Sequence, residues 1–510
     1  MNTMDTYGTL AGRYTYLSGE RTAPAQRARD AAALTIPTLM LPLGATQTTK
    51  LPTPYQALGA RAVNVLAAKL LLALLPANTA FYKLGIDEIT LKKLAQDSAA
   101  QNVINEALAK MERTVQANVE ASSLRSKLSE ALKQLIVAGN VAINLEKFRT
   151  PRVFKMDSYC VRRDAVGHVL EAITIEKISP MSIPEDVRQA CEVPPPQVQD
   201  RDIELYTGIR WDGNKYQIHQ ELNGKTVPGS EGTYATDKLP WLFLRFFSVD
   251  GESYGRGYIE EYIGDLKSLE GLSKAVVQGA AAASKVVFMV KPTGTTNKNA
   301  LTQARNGDFI NGSREDVSTL QLDKFADFRV AADAINQISE RLAFAFLLNT
   351  AIQRNGERVT AEEIRFMAQE LEDGLGGIYS VLSQELQLPL INLIMGQMQR
   401  EGSLPELPQG VLKVSITTGM EALGRGQDAD RLRTFVADVA QLGPEAFSTI
   451  RLSTLLSRLA VSRGIDTDGL IKTPEEVAQE QQQAQLAQMA ATVGQNVGPD
   501  LVKQAMGVQQ

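Results

Sequence analysis

Apolar side chains in the first 140 residues recur at three- and four-residue intervals, the spacing that lines one face of a helix. The pattern predicts helices over 53–76, near 97–118, and over 123–138, the last closing on Gly139-Asn140. Thr53-Pro54-Tyr55-Gln56 supplies an N-cap hydroxyl, a proline for the first helical position and a capping-box glutamine. From there the period shortens towards two, and strands are expected at 141–147, 153–162, 169–176, 203–211 and 215–222. Asp212-Gly213 and Asn223-Gly224 are tight-turn dipeptides at two strand ends, and Pro194-Pro195-Pro196 marks a loop. WLFLRFFSVD (241–250) reads as a buried strand.

The second half returns to the helical period. A helix over 256–284 carries Ile259, Tyr262, Ile263, Leu266, Leu269, Leu272 and Val276 on one stripe and would be about 43 Å long. A second, over 327–350, shows Phe328, Ala331, Ile335, Ile338, Leu342 and Ala345 in a 3-4 repeat suited to packing on another helix. Between them, 286–325 reads as a small β-rich insert with turns at Pro292-Thr293-Gly294, Asn306-Gly307 and Asn311-Gly312. The pattern is a two-helix stalk carrying a small head. A polar interruption at 353–358 follows, then Thr360-Ala361-Glu362-Glu363 opens a helix towards Pro389. LPELPQG (404–410) is a linker, helices are expected near 420–442 and 446–463, and the Gln/Ala-rich tail 474–510 reads as a marginal helix or as disorder. The fold class is α+β, predominantly helical.

Composition narrows the function. At 510 residues, 44 % hydrophobic and 22 % charged, the chain has the apolar content of a globular protein of roughly three units. The 53 basic and 58 acidic residues leave a net charge of −5, so bulk attraction to nucleic acid is excluded while a local basic patch is not. Two cysteines, Cys160 and Cys191, exclude a disulfide scaffold, and two histidines, His168 and His219, leave little for acid–base or metal chemistry. Residues 1–20 lack the basic head and apolar run of a secretory signal. The most apolar run, 62–76, is interrupted by Lys69 and is shorter than the about 20 residues a bilayer requires; 275–290 contains Gln278, Ser284 and Lys285 and fails likewise. The expectation is an intracellular or particle-associated soluble protein.

Four motifs imitate catalytic sites. Gly251-Glu252-Ser253-Tyr254-Gly255 matches a nucleophile elbow, which makes a serine hydrolase using Ser253 the competing reading. That fold places its histidine after the serine, and both histidines here precede it. His219 to Thr226 ends like a phosphate loop but lacks the first glycine and meets Pro228 instead of a helix. Gly255-Arg256-Gly257-Tyr258-Ile259-Glu260 lacks the third small residue of a dinucleotide fingerprint. Cys160 and His168 have no second pair for zinc. Carboxylates such as Glu260, Glu261 and Asp265 read as solvated helix faces. The chain is therefore expected not to be an enzyme, with no cofactor and no metal.

Basic residues matter if the chain forms a ring. Lys291, Lys298, Arg305 and Arg314 lie in the insert, Arg354 and Arg358 in the segment after the second long helix, with Asn355 and Gly356 as gate or hinge candidates between them. Duplex DNA carries one charge per about 1.7 Å of axis, so scattered cations hold it weakly. In a ring each position recurs once per subunit, and one arginine becomes a collar.

Several long stretches resemble the portal, or head-to-tail connector, proteins of short-tailed double-stranded DNA phages (podoviruses). They are YQALGARAVNVLAAKLLLALLP (55–76), EALKQLIVAGNVAINL (130–145), DGESYGRGYIEEYIGDLKSLE (250–270), GDFINGSREDVSTLQLDKFADF (307–328), residues 341–390 and TTGMEALGRGQD (417–428). They keep the family order from about residue 20 to 430; the first 20 and last 45 or so residues match weakly. The resemblance implies a ring, usually of twelve copies, at one capsid vertex. DNA passes through it during packaging, retention and ejection. The implied partners are the DNA, the terminase large subunit that hydrolyses ATP, a tail adaptor, the major capsid and scaffolding proteins, and internal core proteins, with no membrane. The implied place is the virion, after assembly in the host cytoplasm. Mapped on this chain it gives an N-terminal arm (1–20), a mixed wing (21–255), stem helix 1 (256–285), a clip (286–325), stem helix 2 (326–350), a channel loop and wing helix (351–424), crown helices (425–465) and a tail (466–510) in the crown or disordered.

Overall fold

The computed structural model describes residues 8–46, 48–76, 81–86, 98–195, 201–283, 287–320, 325–348, 370–371, 374–375, 377–405, 412–416, 432, 434–439, 441 and 455–456. The chain divides into two units, Met1–Thr418 and Gly419–Gln510. In the second, the described residues are helical; the helices expected near 420–442 and 446–463 otherwise lie outside the described residues, as does the tail. The first unit is mixed α and β, as the pattern predicts.

Its centre is helical. α1 (Leu10–Ala33), α2 (Leu58–Leu74), α3 (Ser98–Ala121) and α4 (Leu124–Ala138) surround a core that includes Leu66, Leu70, Leu74, Leu132 and Leu135, each at most 1 % exposed. Each such leucine contributes about 1.5–3 kcal/mol through burial. α1 is absent from the sequence reading because Gly12, Gly19 and Pro24 interrupt any apolar stripe. It forms because its inner face is buried on a sheet: Leu10 and Leu17 pack on Cys160 and Ile173, and the buried Arg13 guanidinium meets Glu171 at 2.7 Å.

α2 begins later than its capping signal predicts. Thr53 and Pro54 remain outside the helix; the Gln56 side chain does the capping, accepting from the Gly59 backbone N–H at 2.8 Å while donating to the Leu34 carbonyl.

Three of the four sheets among the described residues follow, all antiparallel. β2 (Asn140–Asn144), β3 (Arg152–Phe154) and β10 (Trp241–Arg245) form one, in the order β10-β2-β3. The expected strand at 153–162 is two strands: a 3-10 turn at Met156–Ser158 sends β4 (Tyr159–Arg163) into a second sheet. There β4 is followed by β5 (Val169–Ile178), β6 (Ile203–Trp211), β7 (Tyr216–Leu222) and β8 (Lys225–Thr226), with β9 (Gly232–Tyr234) also on β7. The Asp212-Gly213 turn joins β6 to β7 and Asn223-Gly224 joins β7 to β8, with φ of 53° and 74° at the latter pair. The third sheet pairs β1 (Tyr82–Ile86) with β13 (Leu412–Ile416), more than 320 residues away, a pairing no local pattern announces.

β4 is an edge strand, and side chains satisfy its free N–H groups. Val161 donates to the Tyr254 hydroxyl (3.1 Å) and Arg163 to Ser253 Oγ (3.2 Å). The Arg163 guanidinium then reaches the carbonyls of Ser253, Gly167 and Phe243 (3.2, 2.8 and 2.8 Å), which binds the second sheet to the first. Burial, with Arg245 nearby, lowers its pKa to about 10, so it stays charged at neutral pH.

The junction beneath the long helices is a close crossing of two backbones. Gly139, at φ 72°, ends α4; a Cβ there would stand 2.3 Å from the carbonyl carbon of Arg256. A Cβ at Gly257 would stand 2.6 Å from the Val137 oxygen. Asn140, 1 % exposed, seals the crossing: its Nδ2 donates to Ala138 O (3.0 Å) and Gly255 O (2.8 Å), and its Oδ1 accepts from Gly255 N (2.7 Å). Replacing this side chain leaves buried backbone groups unpaired, each costing about 1–3 kcal/mol. Asn140→Ala is therefore expected to destabilise the first unit by about 3 kcal/mol in urea unfolding, and Gly139→Ala by more, because it adds left-handed strain to a backbone clash. A loss below about 1 kcal/mol for either would show that the crossing yields.

Candidate functional site

Two long helices rise from that crossing. The first is not continuous: a single turn, α6 (Tyr258–Glu261), is broken at Tyr262 from α7 (Ile263–Ala283). At 21 residues α7 is about 31 Å long rather than 43 Å. Its antiparallel partner α9 (Phe325–Ala345) ends five residues before the expected 350. The break is fixed by aromatics. Tyr258 packs edge-on against Tyr262 and Phe346 with centroids 5.2 Å apart, and its hydroxyl donates to the Ala345 carbonyl at 2.9 Å. Burial, helped by the Tyr262 hydroxyl, pushes its phenol well above the ordinary range, so it remains a donor.

Two further ties orient the pair. Glu270 on α7 accepts from the backbone N–H groups of Tyr55 and Gln56 (3.0 and 3.2 Å) ahead of α2. Arg341 on α9 meets Asp265 on α7 at 2.8 Å.

The head between the helices is a hairpin, β11 (Val287–Val290) against β12 (Val317–Leu320), with one short helix α8 (Lys298–Gln303). Asp316 organises its loops. The carboxylate, 9 % exposed, accepts from Thr295 Oγ1 (3.2 Å), Thr296 N (3.2 Å) and Thr296 Oγ1 (3.1 Å), and Gly294 leaves room for it. Desolvation opposes its charge, but the bonds from Thr296 and Thr295 outweigh that and hold the carboxyl below its usual range. Lys291 follows β11, Lys298 opens α8, Arg305 follows it, and Arg314 opens the 3-10 turn before β12. All four are exposed, and none forms a salt bridge with a described residue. They surround one small head rather than converging on a point.

Arg354, Asn355, Gly356 and Arg358 lie outside the described residues. What precedes and follows that segment is described, and one residue ties the two ends. The α2 residue Lys69, its side chain 7 % exposed, donates from Nζ to the Leu347 carbonyl at 2.7 Å and pairs with Glu370 at 2.9 Å. Leu347 has φ 55°, left-handed geometry unfavourable for a branched side chain. The sequence reading used Lys69 only to exclude a membrane span; a lysine inside the apolar stripe of α2 is the signal that it needs a buried partner.

The catalytic look-alikes dissolve in three dimensions. The Ser253 hydroxyl is bound to the edge of β4, in a loop closed by the Phe247–Arg256 bridge instead of a sharp elbow. His168 sits 3.2 Å from Asp164 and His219 3.5 Å from Glu221, and neither hydrogen-bonds Ser253. His219 to Thr226 is the β7–β8 hairpin, with no helix to receive phosphate. Burial pushes the Cys160 thiol up to about 11. Among the described residues, no group of three or more His, Cys, Asp or Glu could hold a metal, and no helix is long and apolar enough to cross a membrane.

The helix expected to run towards Pro389 continues beyond it. A π-helical turn (Ser383–Gln387) widens the helix ahead of it, and α11 (Leu388–Arg400) runs on. The fully buried Gln387 of that turn donates to the Leu74 carbonyl at the end of α2.

The family model for the bacteriophage head to tail connecting protein matches residues 7–471. The chain is 43 % identical to the portal protein of Escherichia phage T7 over 505 residues, covering 97 % of this chain and 93 % of that protein. It is 43 % identical to the portal protein of Enterobacteria phage T3, covering 94 % and 90 %, and 29 % identical to that of Enterobacteria phage SP6, covering 96 % and 95 %. A solved structure, the neck of a native GTA particle computed with C12 symmetry, aligns at 12 % identity over 74 % of this chain and 85 % of that chain, with a TM-score of 0.34; so low a score carries no argument.

Removing Lys69 leaves Glu370 and the Leu347 carbonyl without it in a poorly hydrated place. Lys69→Met is expected to cost about 3–5 kcal/mol, read as a lower unfolding midpoint, and Lys69→Met with Glu370→Gln to recover part of the loss. Equal midpoints for wild type and Lys69→Met would show that the pair holds nothing.

Proposed function

The chain belongs to the bacteriophage head-to-tail connecting, or portal, protein family, a structural and non-enzymatic family, and from that premise we propose that it closes into a ring of about twelve copies around a DNA channel at one vertex of the capsid. In this reading α7 and α9 are the stem, the 287–320 head is the clip, the sheets and helices before residue 255 with the helix through Pro389 are the wing, and the second unit is the crown with its tail. The clip takes the terminase large subunit during packaging and a tail adaptor afterwards; capsid and scaffolding proteins surround the wing, and internal core proteins meet the crown. Assembly takes place in the host cytoplasm. The segment 351–365 reaches the channel wall in this reading, with Arg354 and Arg358 as the cationic collar and Asn355 and Gly356 as its hinge. Lys291, Lys298, Arg305 and Arg314 add charge at the channel mouth.

The observation that carries the reading is the pair of long helices bearing a small head on a mixed α and β body, in a chain that matches portal proteins over almost its whole length. An acidic chain suits a conduit: a duplex slides past a wall that mostly repels it, while a few recurring cations steady it.

The native mass of the purified protein is expected near twelve times that of one chain, and averaged particle images are expected to show a pore wide enough for a duplex. A monomer at every concentration would overturn the ring. In particles carrying Arg354→Ala with Arg358→Ala, the retained genome is expected to fall severalfold; unchanged packaging and retention would remove these arginines from the channel.

A further inference from the structure

Two guanidinium groups lie near each other beside the backbone crossing, and neither has a carboxylate. Arg163, half-buried, gives its donors to three carbonyls, and the nearby charge of Arg245 works against its own. Glu385 acts on Arg163 in the opposite sense but forms no ion pair with it. Arg245 ends β10 and is 9 % exposed, and it forms no ion pair with a described residue. Its protein acceptor is the Glu252 carbonyl, a long 3.3 Å from Nη1; its buried Nε has none, and Nη2 donates to no described residue. Arg13 and Lys69, by contrast, meet Glu171 at 2.7 Å and Glu370 at 2.9 Å. A buried guanidinium carries five N–H donors and a full charge, and leaving it without a counter-charge is costly.

The Arg245 guanidinium lies against Gly167, where a Cβ would stand 2.7 Å from Nη2. Both residues line a polar cavity of about 60 Å³ between the 164–167 turn and the 248–252 loop. That is room for an ion of a few heavy atoms. Three acidic residues also line it. Asp164 is engaged by its own turn: its carboxylate accepts from the backbone N–H groups of Val166 and His168 and lies 3.2 Å from His168 Nδ1. Glu252 pairs with Arg256 at 2.8 Å. Asp250 is exposed and pairs with no described residue.

We propose that this cavity binds a small monovalent anion, of the class of chloride, bromide or formate, through the free donors of Arg245, with the charge of Arg163 adding to the attraction. The acidic walls set the selectivity. One negative charge gains from both guanidinium groups, whereas a polyanion such as the nucleic-acid backbone is repelled by the carboxylates around the opening. The site is thus separate from any contact with DNA, and it stands whether or not the chain forms a ring. Its position gives it a structural consequence. Arg245 is paired with Asn140 in the β10–β2 register, and a Cβ at Gly255 would stand 2.8 Å from the Arg245 Cβ. The anion therefore ties the 164–167 turn and the 248–252 loop to the crossing at Gly139 and Gly255–Gly257.

The full-length protein, crystallised with bromide as the halide, is expected to show an anomalous peak in hydrogen-bond contact with the Arg245 guanidinium. In solution at fixed ionic strength, exchanging bulky methanesulfonate for chloride is expected to raise the unfolding midpoint by about 2 °C or more. Arg245→Gln is expected to abolish that response, and Arg305→Gln, which removes an exposed cation of the head, to keep it. The bromide measurement uses the wild-type chain, so a poorly folding Arg245→Gln protein does not block the test. No peak at Arg245, or the same chloride response in wild type and Arg245→Gln, would overturn the proposal. A peak with no midpoint response would mean binding at crystal concentration only and would overturn it equally. Asp250→Asn separates an internal occupant from a free ion: peak and response are expected to persist. A response to chloride seen only in Asp250→Asn would show that Asp250 itself closes on Arg245, and the anion site would be withdrawn.

Discussion

The close approach of two backbones at Gly139 and Gly255–Gly257 is the constraint on which the rest depends. Hydrogen stands where any other residue places a carbon, and Asn140 converts the contact into a bonded joint. Because α4 and β2 meet there and Tyr258 begins just beyond, the joint fixes where the long helices begin. The Tyr258–Tyr262–Phe346 cluster and the Glu270 carboxylate then set their direction. The motif that imitates a nucleophile elbow is part of the same joint: its glycines permit the crossing, and its serine and tyrosine finish the edge of β4.

Charge in this chain is handled in two ways. Inside the base, ions are paired and fully bonded: Arg13 with Glu171, Arg29 with Asp157, Lys69 with Glu370, and Arg163 against three carbonyls. Such groups are costly to bury and costlier to unpair, which makes them markers of geometry that must not change. On the head the cations are left in water. One set fixes internal geometry, and the other stays exposed.

The near ends of α7 and α9 belong to the main core, with Leu266, Leu269 and Leu342 buried there.

What the sequence by itself determined was local. α4 closing on Gly139, the β6 and β7 strands with their Asp-Gly and Asn-Gly turns, and two long helices around a β-hairpin head were all legible, because period and turn chemistry act within a few residues. The family was legible too, from long ordered stretches rather than from any reactive motif. Only the tertiary structure decided the remainder. α1 is helical despite two glycines and a proline because a sheet buries its inner face. β1 finds β13 across most of the chain, the first long helix breaks at Tyr262 because aromatic rings pack there, and a π turn carries the chain past Pro389. Lys69 changed meaning most: an interruption in an apolar run became the tie between the two ends of the segment bearing Arg354 and Arg358. Contacts between distant residues are set by packing and by the cost of buried charge, and neither is written in the spacing of neighbours.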